Sequence, residues 1–332
     1  MEKIKVVVYG IGPIGAKMVQ YLSEREIFEI VGAVDIAADK AGRDVGQIAG
    51  LGQNLGVKVE SDGKSLLEKV RPDVVVLTTT SILEKIKPQV VEILEQGACI
   101  VSTCEELTFP WYTNPLIAGE IDSLAKKMGV SVLATGVNPG FLMDLLPVTL
   151  TGVCRHVEDI TVYRVQNASN RRIPFQQKVG VGISTDEFKA RLSKGVLRHV
   201  GLTESMHLIS SRMGWKLDKT EDVIEPVVAD VRTVLKDSTI EKGYVLGVKQ
   251  TGCGYVDGKA IIKLIFIAAA GIAESYDRIV INGAPPIDMT IKDGVNGDIA
   301  TCSIVMNAIP VVLRVKPGLR TMADVEPVSC FA

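Results

Sequence analysis

Two adjacent carboxylates, Glu105 and Glu106, are the residues of this chain best suited to proton transfer. They directly follow the segment Ser102-Thr103-Cys104, which ends an apolar run at 98–102. Successive side chains of an extended backbone point in opposite directions, so only one of the two carboxylates can face a site there. The alternative is that both are acidic residues in the first turn of a helix or loop, where the helix dipole favours negative charge.

A glycine loop at the start of the chain predicts a phosphate-binding site. The apolar run at 4–9 leads into the pattern G-x-G-x-x-G, followed by a helical pattern. Glycines permit the tight turn, the close approach of a pyrophosphate and the packing of the helix on the sheet, while the helix N-terminus offers unpaired N–H groups. The alternative is a glycine-rich turn without a ligand. The residues predicted to form this site are Gly10, Gly12, Pro13, Ile14 and Gly15.

Asp35 supports a dinucleotide as the ligand. It ends a second apolar strand at 28–34, about 20 residues after Gly15, where a carboxylate accepts hydrogen bonds from an adenosine ribose. Its charge also repels a 2′-phosphate, which favours NAD over NADP. Lys40 and Arg43 lie just beyond and can weaken this preference. We therefore expect NAD as the first cofactor, with some use of NADP.

The remaining candidate cofactor contacts follow other predicted strands. Apolar runs alternate with helical patterns up to about residue 150, which predicts a parallel sheet that binds ligands at the carboxyl ends of its strands. Asn138 either pairs with the nicotinamide carboxamide or caps a helix that Pro139 opens. Cys104 is a poor nucleophile, because a neighbouring carboxylate raises the pKa of a thiol. The full set expected near the cofactor is Thr78, Thr79, Thr80, Ser102, Thr103, Cys104 and Asn138.

The second half of the chain has a different hydrophobic pattern. Apolar and polar residues alternate at 158–165, 243–250 and 278–282, which predicts an open mixed sheet. A helix is expected at 296–309, ended by Pro310. The predicted fold class is therefore α/β, with a Rossmann-type doubly wound parallel sheet and a second α+β domain on an open mixed sheet. The expected domains are 1–138 for the dinucleotide, 139–300 for substrate and dimerisation, and 301–332 returning to the first domain.

Candidate substrate contacts lie in this second half. The adjacent Arg171 and Arg172 offer bidentate recognition of a carboxylate, or else form a solvated basic loop. His199 precedes a predicted helix start and is either a substrate contact or a structural histidine.

Composition excludes several classes of protein. A net charge of −2 over 332 residues shows no basic excess for nucleic acid, and no apolar run reaches the length of a membrane span. The six cysteines form no C-x-x-C pair, which argues against structural zinc and disulfides and favours a reducing cytoplasm. We expect no signal peptide and no metal. An uncovered sheet face in the second half would favour a homodimer.

Several segments together resemble the 2,4-diaminopentanoate dehydrogenase family. This family belongs to the dihydrodipicolinate-reductase-like group, which shares its architecture with native amine dehydrogenases. The resemblance spans the chain, and Ser102-Thr-Cys-Glu-Glu106 is its most specific segment. It implies oxidative deamination of a 4-amino group in ornithine fermentation. The glutamate after Ser-Thr-Cys would act on the iminium, so the role falls to Glu105 or Glu106, with Glu105 preferred. The other segments are Gly10–Gly15, Asp35, 78–80, 138–140, 199–205, 297–301, 307–310 and 317–319.

Two alternatives remain at this point. Dihydrodipicolinate reductases carry adjacent histidines and an Asp-Ser-Pro-Ser-Gly-Thr run, neither of which occurs here. A non-catalytic NAD-binding sensor would need the glycine loop and Asp35 but not the acidic pair.

Overall fold

The computed structural model describes residues 2–169, 173–195, 197, 199–235 and 238–331. Within them, the strands are β1 (Ile4–Tyr9), β2 (Phe28–Val34), β3 (Val59–Glu60), β4 (Val74–Leu77), β5 (Cys99–Ser102), β6 (Ser131–Ala134), β7 (His156–Asn167), β8 (Lys219–Val228), β9 (Thr233–Val234), β10 (Thr239–Ile240), β11 (Val245–Val256), β12 (Lys259–Ala269), β13 (Tyr276–Ala284), β14 (Ile287–Lys292) and β15 (Gly318–Arg320). The helices are α1 (Pro13–Ser23), α2 (Val45–Ile48), α3 (Gly63–Val70), α4 (Leu83–Glu95), α5 (Pro110–Thr113), α6 (Pro115–Met128), α7 (Leu145–Thr151), α8 (Ile173–Lys178), α9 (Thr185–Ser193), α10 (Leu202–Met213) and α11 (Gly297–Val312), with a 3₁₀ turn at Glu105–Leu107.

The chain divides into two compact units. Unit 1 comprises Met1–Phe141 and Asn296–Ala332, and unit 2 comprises Leu142–Val295. These boundaries lie a few residues from the positions 138 and 300 suggested by the sequence. No helix in the described ranges is long and apolar enough to cross a bilayer.

Unit 1 is built on a seven-stranded sheet in the order β15-β6-β5-β4-β1-β2-β3, and every neighbouring pair is parallel. Its central strands are mainly apolar because both faces are covered; β4 is entirely apolar, and its residues are 0–1% exposed. The chain moves from β1 to one side through β2 and β3, and then to the other side through β4. This parallel sheet with its reversal of strand order confirms the predicted Rossmann-type fold. Ligands of such sheets bind where the order reverses, which here is between β1 and β4.

The end of α11 differs from the prediction. The helix does not stop before Pro310 but continues to Val312 with the proline inside it. Proline removes one helical hydrogen bond near the C-terminus, but the burial of Val311 and Val312 favours continuation. The helix lies beside α1 and against β5, and β15 then pairs with β6. The sequence pattern did not predict β15, because three residues carry too little periodicity.

Unit 2 contains a six-stranded sheet in the order β14-β13-β7-β12-β11-β8. Only the β12–β7 pair in this sheet, as described, is parallel, so the predicted mixed sheet is confirmed. Edge strand β8 was not predicted, because it is rich in charged residues. Charge is typical of an edge strand, where it prevents pairing with other chains.

The two faces of the unit 2 sheet differ in composition. One face lies under α10: a side chain at Gly252 would contact Leu202 and Met206 of that helix. Phe188, Val248 and Phe266 belong to a core cluster on the same face. The opposite face keeps apolar side chains partly exposed, among them Tyr163, Val223, Ile267 and Val280.

Candidate active site

The glycine loop has the geometry that a pyrophosphate requires. Gly10 has φ +96°, a left-handed conformation that favours glycine. A Cβ at Gly15 would lie 1.8 Å from the Gly10 carbonyl oxygen, so this position tolerates no side chain without movement of the loop. A Cβ at Gly12, in contrast, would meet nothing within 4 Å. Gly12 therefore borders open space at the N-terminus of α1, which begins at Pro13 with Ile14 next, as predicted.

The three threonines after β4 hold loops in place. Thr78 Oγ1 donates to the Gly10 carbonyl at 2.7 Å and so ties the glycine loop to β4. Thr79 Oγ1 donates to Gln89 Oε1 at 2.7 Å. Thr80 Oγ1 accepts a long hydrogen bond of 3.4 Å from the Ile82 amide.

Asp35 is already hydrogen-bonded on both carboxylate oxygens. Oδ2 accepts from the Ile11 amide at 2.8 Å and from Lys40 Nζ at 2.8 Å, while Oδ1 accepts from the Ala37 amide at 2.9 Å. Burial opposes ionisation, but these hydrogen bonds, led by that of Lys40, outweigh it and lower the pKa of Asp35. Ile36 next to it is 85% exposed. It is an apolar surface next to the predicted ribose position, and the sequence pattern did not single it out.

The segment after β5 is held by its own hydrogen bonds. Ser102 is fully buried; its Oγ donates to the Leu77 carbonyl and accepts from the Cys104 amide, both at 3.1 Å. Thr103 donates its amide to the same carbonyl, also at 3.1 Å. Burial raises the pKa of the Cys104 thiol far above its usual range, and the neighbouring glutamates add to this effect. The thiol is therefore neutral and poorly suited to nucleophilic attack.

The two glutamates have different structural environments. Both belong to the 3₁₀ turn, where successive side chains point about 120° apart. Glu106 Oε2 accepts a hydrogen bond of 2.8 Å from the Leu83 amide. It thereby caps α4, whose N-cap residue Ile82 supplies no side-chain hydrogen bond. Glu105 is half-buried at the start of the turn, and its carbonyl accepts from Thr108 Oγ1 at 2.7 Å.

Asn138 does not cap a helix. The segment after it forms turns through a cis Asn138–Pro139 bond and Gly140 at φ +121°, and the next helix, α7, begins only at Leu145 with Asp144 as its cap. The predicted helix start at Pro139 is therefore wrong. Asn138 is 7% exposed, and neither its Oδ1 nor its Nδ2 has a hydrogen-bond partner among the described residues.

These observations fit a nicotinamide dinucleotide. The open space at Gly12 leaves room for a pyrophosphate, and Asp35 follows β2 where a ribose would bind. Unsatisfied polar atoms are costly when buried, so the two free atoms of Asn138 indicate a missing partner. A carboxamide carries both an acceptor oxygen and N–H donors, so it matches them.

In unit 2, His199 is a neutral histidine. Burial, followed by the charges of Lys178 and Arg164, lowers its pKa to about 3. Its Nδ1 lies 2.8 Å from the Val200 carbonyl, which can only accept, so Nδ1 carries the proton and Nε2 is an acceptor. The fully buried Gln250 bonds both the amide and the carbonyl of His199. The acceptor Nε2 of His199 can therefore bind a substrate N–H group better than it can bind a carboxylate. Arg171 and Arg172 lie outside the described residues.

Comparisons with known proteins show which family the chain is similar to. The model of the 2,4-diaminopentanoate dehydrogenase C-terminal domain matches residues 141–331, and that of the dihydrodipicolinate reductase N-terminus matches residues 4–102. The 2,4-diaminopentanoate dehydrogenase of Acetoanaerobium sticklandii is 35% identical to this chain, covering 98% of it and 94% of its relative. An amine dehydrogenase of Streptomyces virginiae is 22% identical, over 97% and 96% of the two chains.

A solved structure shares the fold. The amine dehydrogenase from Mycobacterium smegmatis matches with a TM-score of 0.86 at 22% identity, covering 99% of this chain and 97% of that one. The glycine loop, the parallel sheet and these matches agree on NAD(P) as the cofactor. This chain therefore belongs to the 2,4-diaminopentanoate dehydrogenase family, within the NAD(P)-dependent amine dehydrogenases.

Proposed function

We propose that this enzyme oxidatively deaminates the 4-amino group of 2,4-diaminopentanoate, giving 2-amino-4-oxopentanoate and ammonia. The observation that carries the proposal is the 35% identity to a 2,4-diaminopentanoate dehydrogenase along 98% of the chain. The match of residues 141–331 to the C-terminal domain of that family also supports it. The reductase-type match is confined to residues 4–102, within the predicted cofactor domain, and so supports the cofactor more than a reductase substrate.

We assign the catalytic carboxylate to Glu105. Glu106 is the other candidate from the sequence, but its carboxylate accepts the Leu83 amide and caps α4. This hydrogen bond holds the Glu106 carboxylate against the start of α4, which favours a structural role for it. Glu105 lies one residue nearer to the end of β5, where ligands of parallel sheets bind.

The reaction then follows from one carboxylate. The glycine loop and Asp35 would hold NAD(P)⁺, which would supply the oxidant for removal of the hydride from C4 of the substrate. Glu105 stabilises the resulting iminium of the substrate by its negative charge and removes a proton from the attacking water. When the carbinolamine collapses, Glu105 returns that proton to the departing nitrogen. In total, amine, water and oxidised cofactor give ketone, ammonia, reduced cofactor and one proton.

The other site residues would bind and orient. We propose that the backbone at Gly10, Gly12 and Gly15 approaches the pyrophosphate, and that Asn138 pairs with the nicotinamide carboxamide. The segments 78–80 and 102–104 would lie on either side of the bound cofactor. Arg171 and Arg172 remain the candidates for the substrate carboxylate, and the neutral His199 would accept from a substrate N–H.

A panel of amines tests the proposal. Purified enzyme is incubated with NAD⁺ or NADP⁺ and with 2,4-diaminopentanoate, other diamino acids or simple alkylamines, and the absorbance of reduced nicotinamide is followed. We expect the highest kcat/KM with 2,4-diaminopentanoate. Higher kcat/KM with a simple alkylamine would contradict the substrate, and no turnover with any amine would favour the non-catalytic sensor. Reduction of dihydrodipicolinate would favour the reductase.

A further inference from the structure

The end of β2 carries an ion pair rather than a lone carboxylate. Lys40 Nζ lies 2.8 Å from Asp35 Oδ2, and the side chains are only 22% and 12% exposed. A lone carboxylate at this position repels the 2′-phosphate of NADP. Here an ammonium group directly opposes that charge, so the repulsion is largely cancelled at short range.

The hydrogen bonds of the pair leave donors on the lysine. Asp35 already accepts from two backbone amides, Ile11 in the glycine loop and Ala37 beyond β2. These bonds hold the carboxylate in place without Lys40. An ammonium has three N–H donors, and in the described part of the chain one contacts Asp35. The lysine can therefore bind a second anion while the carboxylate stays where it is.

We propose that Lys40 is the residue that admits NADP, by donating to the 2′-phosphate while Asp35 remains hydrogen-bonded to the loop. NAD places a neutral hydroxyl there and needs no cation. Lys40 is thus a specificity-determining residue for the cofactor. The inference rests on the dinucleotide site of the proposed function and is independent of which amine is oxidised.

Arg43 provides a matched control. It is a second cation of the same loop, but it is exposed, and its guanidinium donates to the Asp39 carbonyl at 3.3 Å instead of to Asp35. Replacing either residue removes one positive charge. Only the loss of Lys40 exposes the Asp35 charge.

The test measures binding of two adenosine fragments by isothermal titration calorimetry. Adenosine 2′,5′-bisphosphate and adenosine 5′-monophosphate are titrated into the wild type, Lys40→Gln and Arg43→Gln. The hydrogen bond from an ammonium to a phosphate is charge-assisted, so we expect Lys40→Gln to weaken binding of the bisphosphate at least ~10-fold, or about 1.4 kcal/mol. Binding of the monophosphate should change less than ~3-fold, as should both ligands with Arg43→Gln. The NADP-to-NAD ratio of kcat/KM should fall in parallel.

Three results would overturn the proposal. An unchanged affinity of Lys40→Gln for the bisphosphate would show that the lysine does not contact the phosphate. An equal loss of affinity of Lys40→Gln for both fragments would show that Lys40 only holds the loop. An equal loss in Arg43→Gln would indicate a general charge effect. None of these outcomes depends on amine turnover, so they are distinct from failure of the proposed function.

Discussion

At the scale of single residues, two neighbouring glutamates perform different tasks. Glu106 accepts a hydrogen bond from the Leu83 amide at the start of α4, where the N-cap residue Ile82 supplies no side-chain acceptor. Glu105 opens the 3₁₀ turn at the end of β5. The Glu106 carboxylate thus fixes the position of the segment, and under our proposal the Glu105 carboxylate carries out the chemistry.

Replacing each glutamate by glutamine should separate these tasks. We expect Glu105→Gln to lower kcat by ~10²-fold or more, since an amide cannot accept the proton of water, with NAD⁺ affinity nearly unchanged. Glu106→Gln should keep most of its activity, because the amide oxygen still accepts from Leu83. Steady-state kinetics and NAD⁺ titration measure both. If Glu106→Gln loses as much kcat as Glu105→Gln, the assignment of roles is wrong.

The buried histidines should make stability fall in acid. Burial lowers the pKa of His207 to about 4 and the pKa of His199 to about 3. An unfolded histidine titrates near 6.5, so the unfolded chain binds more protons between these values, and unfolding becomes easier as the pH falls below about 6.5. Each histidine contributes up to about 1.4 kcal/mol per pH unit in that window.

Urea denaturation at pH 7, 6 and 5 checks this dependence. The free energy of unfolding of the wild type should decline steadily over the series. His207→Asn should show a shallower decline, because one of the two groups no longer titrates. A variant with the same slope as the wild type would contradict the role of His207.

At the scale of elements, the junction of β1 and α1 depends on two glycines for different reasons. Gly15 is needed for packing, because its Cβ would collide with the Gly10 carbonyl at 1.8 Å. Gly12 has open space around it and φ −76°, which any residue adopts. Glycine at position 12 would therefore be required for binding of the ligand and not for folding.

Alanine at each position distinguishes the two cases. Gly15→Ala should lower the free energy of unfolding by about 1–3 kcal/mol or more, since the loop must move. Gly12→Ala should remain as stable as the wild type but bind NAD⁺ at least ~10-fold more weakly, because the methyl group occupies phosphate space. Thermal denaturation and NAD⁺ titration measure these effects. Unchanged NAD⁺ binding by Gly12→Ala would argue against the phosphate site.

At the scale of the whole molecule, the face of the unit 2 sheet opposite α10 is the candidate surface for self-association. Tyr163 and Ile267 lie near its centre and are partly exposed, while Val223 near the edge is 50% exposed. Apolar side chains on a broad sheet face favour burial against a second copy around a twofold axis.

We expect a homodimer that a charge on this face disrupts. Light scattering after gel filtration should give twice the chain mass for the wild type and the monomer mass for Ile267→Arg, since a charge in a dimer interface is costly. Leu116→Arg is the control, because Leu116 is 81% exposed on unit 1. A monomeric wild type, or a monomeric Leu116→Arg, would contradict this interface.

The sequence by itself determined the features whose residues are near each other in the chain. Gly10, Gly12 and Gly15 with the flanking apolar runs specify the strand, turn and helix, because the turn and the packing are local. The alternation of apolar runs and helices likewise predicted the parallel sheet, and the period-two pattern predicted the mixed sheet. Strands β8 and β15 were missed, the first because of its charges and the second because of its length.

Only the tertiary structure decided which side chain does what. Glu106 meets the Leu83 amide 23 positions away, and Gln250 meets His199 at a separation of 51. Asn138, which has no hydrogen-bond partner among the described residues, lies in a turn that the sequence pattern predicted as a helix start. The reason is physical: hydrogen bonds and burial between distant segments exist only once the chain has folded, and they set the charge, orientation and availability of each group.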